Sequence, residues 1–275
     1  MMQGFFMLSF PNAKINIGLY VTSRRKDGYH NLETVFFPVP VHDILEVVPA
    51  NKATKLDTSG ISIPGNPESN LVLKAWKLLK DDHKLPDVKI NLHKGIPAGA
   101  GLGGGSADAA CCLMNLNKQF ELGLSDNQLL KYALMLGSDC PFFIKNKPVF
   151  ATGRGEIMQE IPLNLSGNYL AIIHPDIHIN TGSAFARIHP QKAGFDLRSL
   201  ADLPKNNWKD SLSNDFELYA FEAHPVLEEI KHTLLDAGAW YAQMSGSGSS
   251  VYGLFENQPD LRSGFGSMPS ELIKL

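Results

Sequence analysis

The segment from residue 97 to residue 110 constrains the fold of this chain more than any other. It reads Pro-Ala-Gly-Ala-Gly-Leu-Gly-Gly-Gly-Ser-Ala-Asp-Ala-Ala, with five glycines between Gly99 and Gly105. An alternating apolar run at Val88–Leu92 predicts a strand before it, and an apolar stripe at helical spacing over 109–120 predicts a helix after it. Glycine lets backbone approach a ligand closely, and a helix start offers unpaired N–H groups. This order of elements predicts an anion site, with phosphate as the expected anion.

Three interpretations of the glycine loop follow from the residues. A Walker P-loop is excluded because Gly105 stands where its lysine should be. A Rossmann loop fits the spacing of Gly99, Gly101 and Gly104, but Ser125 opens another helix where a second strand with an acidic end is expected. A flexible linker is disfavoured because the loop lies between a strand and an amphipathic helix.

Two charged residues outside the loop are candidates for chemistry. Lys14 lies with Asn16 on the polar face of a strand predicted over Ala13–Val21, and alternation predicts that this strand is half-buried. Asp139 precedes Pro141, in the sequence Gly-Ser-Asp-Cys-Pro. The residues alone leave two other interpretations open, a solvated strand lysine and an aspartate that caps a short helix.

Aromatic residues in both halves of the chain are candidates for binding. Tyr29 and His30 follow an Asp-Gly turn, where binding residues often occur, although an ordinary hairpin aromatic is also compatible. Thr181 is predicted to cap a helix that contains Phe185. Residues Asn51–Pro67 are polar and rich in proline, glycine and serine, and predict a loop.

The chain resembles the GHMP kinases, small-molecule kinases named for galactose, homoserine, mevalonate and phosphomevalonate. The glycine loop carries this resemblance together with other segments between Pro11 and Phe255. These are Pro11–Leu19, Gly137–Phe143, Gly153–Glu156, Asn214–Glu217 and Ala242–Gly253. The resemblance implies an α+β fold of two domains, 1–156 and 157–275, with the active site in the cleft between them.

The resemblance also implies the reaction and its participants. It implies ATP as the phosphate donor, Mg²⁺, and a small alcohol acceptor. The form of the glycine loop is most similar to members that act on the cytidine diphosphate conjugate of methylerythritol, in the non-mevalonate supply of isoprenoid precursors. Asp139 would accept the hydroxyl proton, and Lys14 would hold Asp139 ionised and favour the transferring phosphoryl group.

The binding residues implied by the resemblance fall into two groups. Those expected to bind ATP are Asn70, Lys94, Pro97, Ala98, Gly99, Ala100, Gly101, Leu102, Gly103, Gly104, Gly105, Ser106 and Ala107. Those expected to bind the acceptor are Asn16, Tyr29, His30, Thr181 and Phe185. Ser106 is in addition a candidate contact for magnesium.

Composition limits the other classes of function. A net charge of −3 provides no basic footprint for nucleic acid, and no apolar run reaches the roughly 18 residues of a membrane span. Three cysteines without metal-ligand spacing favour a reducing compartment, so a cytoplasmic protein is expected. Met7 offers a second start, so Met1–Phe6 are expected to be a dispensable leader. The alternatives left open are a dinucleotide-dependent oxidoreductase, a non-catalytic nucleotide-binding regulator and a GHMP kinase for another alcohol.

Overall fold

The computed structural model describes residues 7–261 and 264–275, and the expected leader Met1–Phe6 lies outside them. The chain folds into two compact units whose segments alternate along the sequence. Unit 1 contains the described residues through Ala13, Val41–Ala98 and Gly103–Lys147. Unit 2 contains Lys14–Pro40, Gly99–Leu102 and Pro148–Leu275. The domain boundary at residue 156 stays a prediction.

Strands and α-helices alternate irregularly along the described residues. The strands are β1 (Met7–Ser9), β2 (Asn12–Arg24), β3 (His30–His42), β4 (Ile44–Pro49), β5 (Lys55–Gly60), β6 (Val88–Lys94), β7 (Val149–Thr152), β8 (Ile157–Glu160), β9 (Tyr169–Ile173), β10 (Tyr241–Met244), β11 (Val251–Phe255) and β12 (Ser270–Lys274). The helices are α1 (Leu71–His83), α2 (Gly104–Gln119), α3 (Asp126–Leu136), α4 (Cys140–Lys145), α5 (Thr181–Arg187), α6 (Trp208–Ser211), α7 (Asp215–Ala223) and α8 (Val226–Asp236).

Unit 1 packs the helices α1 to α4 with a sheet of strand order β1-β4-β6-β5. β6 pairs antiparallel with β4 and parallel with β5, and α1 is the crossover that a parallel pair requires. The apolar stripe predicted for the helix after the glycine loop is buried in this core. Fully buried members of the core include Val72, Leu79, Ile90, Cys112, Leu113 and Leu116.

The prediction of a continuous loop over Asn51–Pro67 is wrong, because β5 lies inside it. The strand sequence Lys-Leu-Asp-Thr-Ser-Gly contains one apolar residue, Leu56, and most of its residues are exposed at the edge of the sheet. An edge strand that contributes one apolar side chain shows no alternation, so pairing with β6 determines its conformation.

Unit 2 contains two four-stranded sheets, β2-β3-β7-β8 and β10-β11-β9-β12, and the helices α5 to α8. The turn predicted at Gly153–Glu156 joins β7 to β8, and β10 and β11 form the predicted hairpin. The core of the unit includes Val21, Ile173, Phe216, Leu227, Leu234, Met244 and Val251. No helix in the part of the chain that the structure describes is long and apolar enough to cross a bilayer.

Two local predictions in unit 2 need correction. β2 is not half-buried, because both of its faces are covered from Ala13 to Val21, and Lys14 is 3% and Asn16 2% exposed. The helix that contains Phe185 is capped by Asn180, whose side chain accepts a hydrogen bond from Ser183 N at 2.9 Å. Thr181 is the first residue of α5, not its cap.

Candidate active site

The glycine loop adopts backbone conformations that favour glycine. Gly99, Gly101 and Gly103 have φ values of +70°, +78° and +73°, and Gly103 precedes the first residue of α2. A Cβ on Gly101 would lie 1.9 Å from the carbonyl oxygen of Ser245, so this position excludes a side chain by contact as well as by φ. The loop therefore ends where the unpaired N–H groups of α2 begin, as an anion site requires.

The first two residues of α2, in unit 1, are glycines whose surroundings differ: Gly104 is closely packed, whereas Gly105 faces open space. A Cβ on Gly104 would lie 2.8 Å from Ile96 Cγ2 and 3.2 Å from the Lys94 ammonium, which shows how closely α2 approaches the end of β6. A Cβ on Gly105 would meet no atom within 4 Å. Gly105 therefore leaves space beside the helix start without being required by packing.

Lys94 is a buried ion-pair residue and not a solvated surface lysine. It is 3% exposed, and its ammonium contacts the carboxylates of Asp43 and Asp108, the latter at 2.7 Å. Asp43 Oδ1 also accepts hydrogen bonds from Gly95 N at 2.6 Å and Ile96 N at 2.8 Å. This cluster of three charged residues ties the end of β6 to α2 on either side of the loop.

The carboxyl of Asp108 is strongly affected by its surroundings. Burial, opposed by the charge of Lys94 and reinforced by that of Asp43, raises the pKa of Asp108 to about 7. Its Oδ1 atom is buried and has no hydrogen-bond partner among the described residues. The ionised carboxylate of Asp108 is therefore costly to bury, and among the groups that affect its pKa, Lys94 is the one that offsets this cost.

A cavity of about 310 Å³ in unit 1 adjoins the cluster and the open glycine. Four residues predicted to bind ATP line it, namely Asn70, Lys94, Ala98 and Gly105, and Asp108 also contributes to its wall. Asn70 caps α1 by accepting a hydrogen bond from Val72 N at 2.9 Å, which fixes its side chain at the rim. The volume of the cavity lies within the range of small-ligand sites.

Asp139 lies at the start of α4 in unit 1, so the structure bears on whether its side chain caps this helix. Its backbone occupies the N-cap position, but its side chain makes no capping hydrogen bond. Ser106, in the first turn of α2, makes a hydrogen bond with Cys140, the residue after Asp139. Burial raises the pKa of the Cys140 thiol to about 11, and the hydrogen bond with Ser106 opposes part of this rise. The structure thus brings the candidate magnesium residue Ser106 to the start of the helix that Asp139 precedes.

Lys14 and Asn16, in unit 2, form a buried hydrogen-bonded pair. The Lys14 ammonium donates to Asn16 Oδ1 and, at 2.9 Å, to the carbonyl oxygen of Gly101. Asn16 Nδ2 donates to Thr34 Oγ1 at 2.9 Å, so both ends of the Asn16 amide are engaged within the unit. The backbone of Lys14 also donates to Leu102 O at 2.9 Å, which fixes the lysine to the glycine loop.

The turn between β10 and β11 holds the other side of Gly101. The Ser245 hydroxyl donates to Gly101 O at 2.9 Å and accepts from Asn16 N at 3.2 Å, while Ser250 N donates to Ala100 O at 3.1 Å. Asn214 Nδ2 donates to the carbonyls of Met244 and Gly246, both at 2.8 Å. The sequence marks these segments as motifs but assigns no roles to their individual residues.

The aromatic residues predicted to bind the acceptor lie close together within unit 2. His30 and Phe185 stack with ring centroids 5.0 Å apart, and burial, with a smaller contribution from Arg24, lowers the pKa of His30. Tyr29 is 55% exposed, and the Arg154 guanidinium lies 4.7 Å from its ring centroid. Thr181 Oγ1 lies 3.0 Å from Ser247 Oγ. The predicted roles of these residues stay predictions.

These elements, with a glycine loop at the start of a helix, define a small-molecule kinase of the GHMP type. The model of the GHMP kinases N terminal domain matches residues 70–147, and that of the GHMP kinases C terminal matches residues 191–273. A 4-diphosphocytidyl-2-C-methyl-D-erythritol kinase of Bacteroides thetaiotaomicron is 53% identical over 258 residues, which cover 93% of this chain and 94% of the relative. The chain therefore belongs to the 4-diphosphocytidyl-2-C-methyl-D-erythritol kinase family of GHMP kinases.

A more distant relative and one solved structure agree with this assignment, and a second solved structure shows the fold alone. A protein of the same name from Porphyromonas gingivalis is 45% identical over 258 residues, covering 93% of this chain and 94% of the relative. A crystal structure of 4-(cytidine 5'-diphospho)-2C-methyl-D-erythritol kinase has a TM-score of 0.78 at 32% identity, and the match covers 92% of this chain and 91% of that one. Mevalonate kinase of L. major has a TM-score of 0.71 at 14% identity, with 98% and 97% covered, which shows the shared fold.

Proposed function

We propose that this protein transfers the γ-phosphate of ATP to the 2-hydroxyl of 4-diphosphocytidyl-2-C-methyl-D-erythritol. Membership of the family supports the choice of substrate. The observation that carries the proposal is the cavity of about 310 Å³ at the start of α2, with the open position Gly105 in its wall. A triphosphate held at a helix start needs backbone N–H groups and space, and this site offers both.

ATP would occupy this cavity with its base near Asn70 and Lys94 and its phosphates at the glycine loop. The carboxylates of Asp43 and Asp108 hold Lys94, so its ammonium acts in a fixed position. Mg²⁺ would neutralise phosphate charge, as it does in phosphoryl transfer generally. No group of three potential metal-ligating side chains occurs within residues 7–261 and 264–275. A magnesium ion bound chiefly by phosphate and water, with Ser106 as the protein contact, fits that chemistry.

Asp139 and Lys14 would carry the chemistry. We assign to Asp139 the acceptance of the proton from the acceptor hydroxyl, because it is a carboxylate at the start of α4, next to Cys140, whose thiol Ser106 of α2 contacts. We assign to Lys14 the stabilisation of negative charge on the transferring phosphoryl group. Its ammonium is buried and oriented by Asn16 and Gly101, and a preoriented charge in a low dielectric is effective in this role.

The cytidyl group would be recognised by Tyr29, His30 and Phe185. Aromatic rings supply stacking surfaces, and a neutral imidazole supplies one donor and one acceptor for the edge of a base. The lowered pKa of His30 favours that neutral form at pH 7. Asn16 and Thr181 would contact the remainder of the acceptor. We further propose that the protein works in the cytoplasm, in agreement with the free state of Cys111, Cys112 and Cys140.

Thermal shift measurements with a non-hydrolysable ATP analogue present test this proposal. CDP is expected to raise the melting temperature further, whereas galactose, homoserine and mevalonate are expected to leave it unchanged. A rise with one of these other alcohols and none with CDP would instead indicate a GHMP kinase for another acceptor. A nicotinamide or flavin absorbance in the purified protein would favour the oxidoreductase alternative.

A further inference from the structure

We infer that Ser245 is a positioning residue for phosphoryl transfer, which acts by sharing the Gly101 carbonyl with Lys14. The Ser245 hydroxyl and the Lys14 ammonium each donate to Gly101 O at 2.9 Å. A carbonyl oxygen has two lone pairs and accepts both donors at once. The inference rests on the role proposed for Lys14 and extends it.

The shared acceptor matters because Lys14 has to direct its ammonium at a phosphoryl oxygen during transfer. The ammonium donates to Asn16 Oδ1 and to Gly101 O, and these two bonds set its direction. An ammonium that turns toward a phosphoryl oxygen lengthens its bond to Gly101 O. With Ser245 in place, Gly101 O keeps one donor throughout, so Lys14 shifts without leaving a backbone carbonyl unpaired.

The position of Ser245 is set by contacts on both its side chain and its backbone. The residue is fully buried, its hydroxyl accepts from Asn16 N at 3.2 Å, and its own N–H donates to Ser250 O at 2.9 Å. Asn214 holds the flanking carbonyls of Met244 and Gly246. Because Asn16 N uses the hydroxyl oxygen as an acceptor, the hydroxyl hydrogen is directed to Gly101 O.

The same turn contains a matched control. Ser249 is also fully buried, but its hydroxyl has no hydrogen-bond partner in the described part of the chain. Ser249→Ala therefore removes a buried hydroxyl from this turn without removing a bond to Gly101. A general requirement for polar atoms in the turn predicts equal effects of the two alanine variants, whereas the shared acceptor predicts an effect of Ser245→Ala alone.

The test compares turnover with nucleotide affinity. Ser245→Ala is expected to lower kcat roughly 5- to 150-fold, because it leaves the Gly101 carbonyl unpaired in the transition state. It also removes the acceptor of Asn16 N, but that loss is the same in the ground state and the transition state, so it lowers stability and leaves kcat unchanged. The Kd of a non-hydrolysable ATP analogue and all constants of Ser249→Ala are expected to stay within about 2-fold of wild type. A parallel loss of analogue affinity and kcat, or equal losses in Ser249→Ala, would overturn the inference. If Ser245→Ala does not fold, Ser245→Cys, which keeps the volume but donates weakly, is expected to lower kcat in the same sense.

A double-mutant cycle with Lys14→Met separates this inference from the proposed function. In single-turnover measurements, Ser245→Ala is expected to change the rate by less than about 2-fold when Lys14 is already absent. An undiminished effect of Ser245→Ala in the Lys14→Met background would show that Ser245 does not act through Lys14. Full turnover of Lys14→Met alone would contradict the role proposed for the lysine. A large loss in Lys14→Met with none in Ser245→Ala would contradict only the role of Ser245.

Discussion

The imidazole of His30 lies against the phenyl ring of Phe185, with ring centroids 5.0 Å apart and an angle of 14° between the planes. The face of Phe185 that His30 covers becomes available to a base only when the imidazole moves. Phe185 also makes an edge-on contact with Phe216, which is buried in the core of unit 2. His30 is therefore the partner that would have to move for a cytosine to stack on this face, as proposed above.

Substitutions of the aromatic residues that stack on a base and of the histidine that would bind its edge are predicted to have different effects. Phe185→Ala and Tyr29→Ala are expected to weaken the binding of cytidyl and uridyl substrates alike, by about 5- to 150-fold, because an aromatic ring stacks on any base. His30→Ala is expected to reduce the preference for cytosine, because hydrogen bonds distinguish the two bases. The ratio of kcat/KM for the two substrates measures this preference. An unchanged ratio in His30→Ala would show that another residue recognises the base.

Asp139→Asn is predicted to remove the general base without disturbing α4. The change keeps the shape of the side chain, and no side-chain capping bond is lost. Turnover is expected to fall by about 10²- to 10⁴-fold, while the affinity for ATP remains near that of wild type. Asp126→Asn, in the first turn of α3, makes the same change of charge and serves as the control. More than half of wild-type turnover in Asp139→Asn would leave Asp139 with a structural role only.

Gly105→Ala is predicted to spare the fold and impair ATP binding. The added Cβ meets no protein atom within 4 Å, and alanine favours helix over glycine by roughly 0.5–1 kcal/mol, so stability is expected to hold or rise. The methyl group would project beside the helix start, where the phosphates are proposed to lie. Calorimetry with ATP is expected to show at least a roughly tenfold loss of affinity, equivalent to about 1.4 kcal/mol.

Gly182→Ala is the control for this prediction, because Gly182 is likewise the second residue of a helix, α5, and has no positive φ. It is expected to leave the affinity for ATP unchanged. Normal ATP binding by Gly105→Ala would place the phosphates away from the start of α2.

The Asp43–Lys94–Asp108 cluster predicts a dependence of stability on pH. Burial raises the pKa of Asp108 from 3.8 to about 7, so the native state binds one more proton than the unfolded chain between those values. The free energy of unfolding attributable to this group therefore falls as the pH rises from about 4 to about 7. Asp108→Asn, which cannot ionise, is expected to show a smaller decline over this range in denaturant titrations. Asp210 is exposed, and the free energy of unfolding of Asp210→Asn is expected to decline as that of wild type does. An identical decline in wild type and both variants would contradict the raised pKa of Asp108.

The sequence predicted the elements whose signals are local. Strand β6, the glycine loop and the start of α2 follow from alternation, glycine content and helical spacing within about 30 residues. Strand β5 was missed because its single apolar residue leaves pairing with β6 as the main determinant. The capping role assigned to Thr181 belongs to Asn180, since both residues suit that position and only the backbone distinguishes them.

The surroundings of the site residues depended on contacts between distant parts of the chain. The burial of Lys94 could not be predicted from its neighbours in sequence, because its partner Asp43 lies 51 residues away. Ser245 is separated from Gly101 by 144 residues, and only the fold shows that its hydroxyl shares an acceptor with Lys14. The motifs thus indicated candidate segments, whereas hydrogen bonding within each unit determines which contacts their individual side chains make.

The proposed reaction is tested by incubating the protein with ATP, Mg²⁺ and 4-diphosphocytidyl-2-C-methyl-D-erythritol. Phosphorus and carbon NMR of the product identify the oxygen that is phosphorylated, and coupled release of ADP gives the stoichiometry. We expect a phosphate on the 2-hydroxyl, one ADP for each product, and formation of both about 10²- to 10⁴-fold more slowly in Asp139→Asn. Product formation from homoserine or mevalonate, with none from the cytidyl substrate, would contradict the proposed reaction.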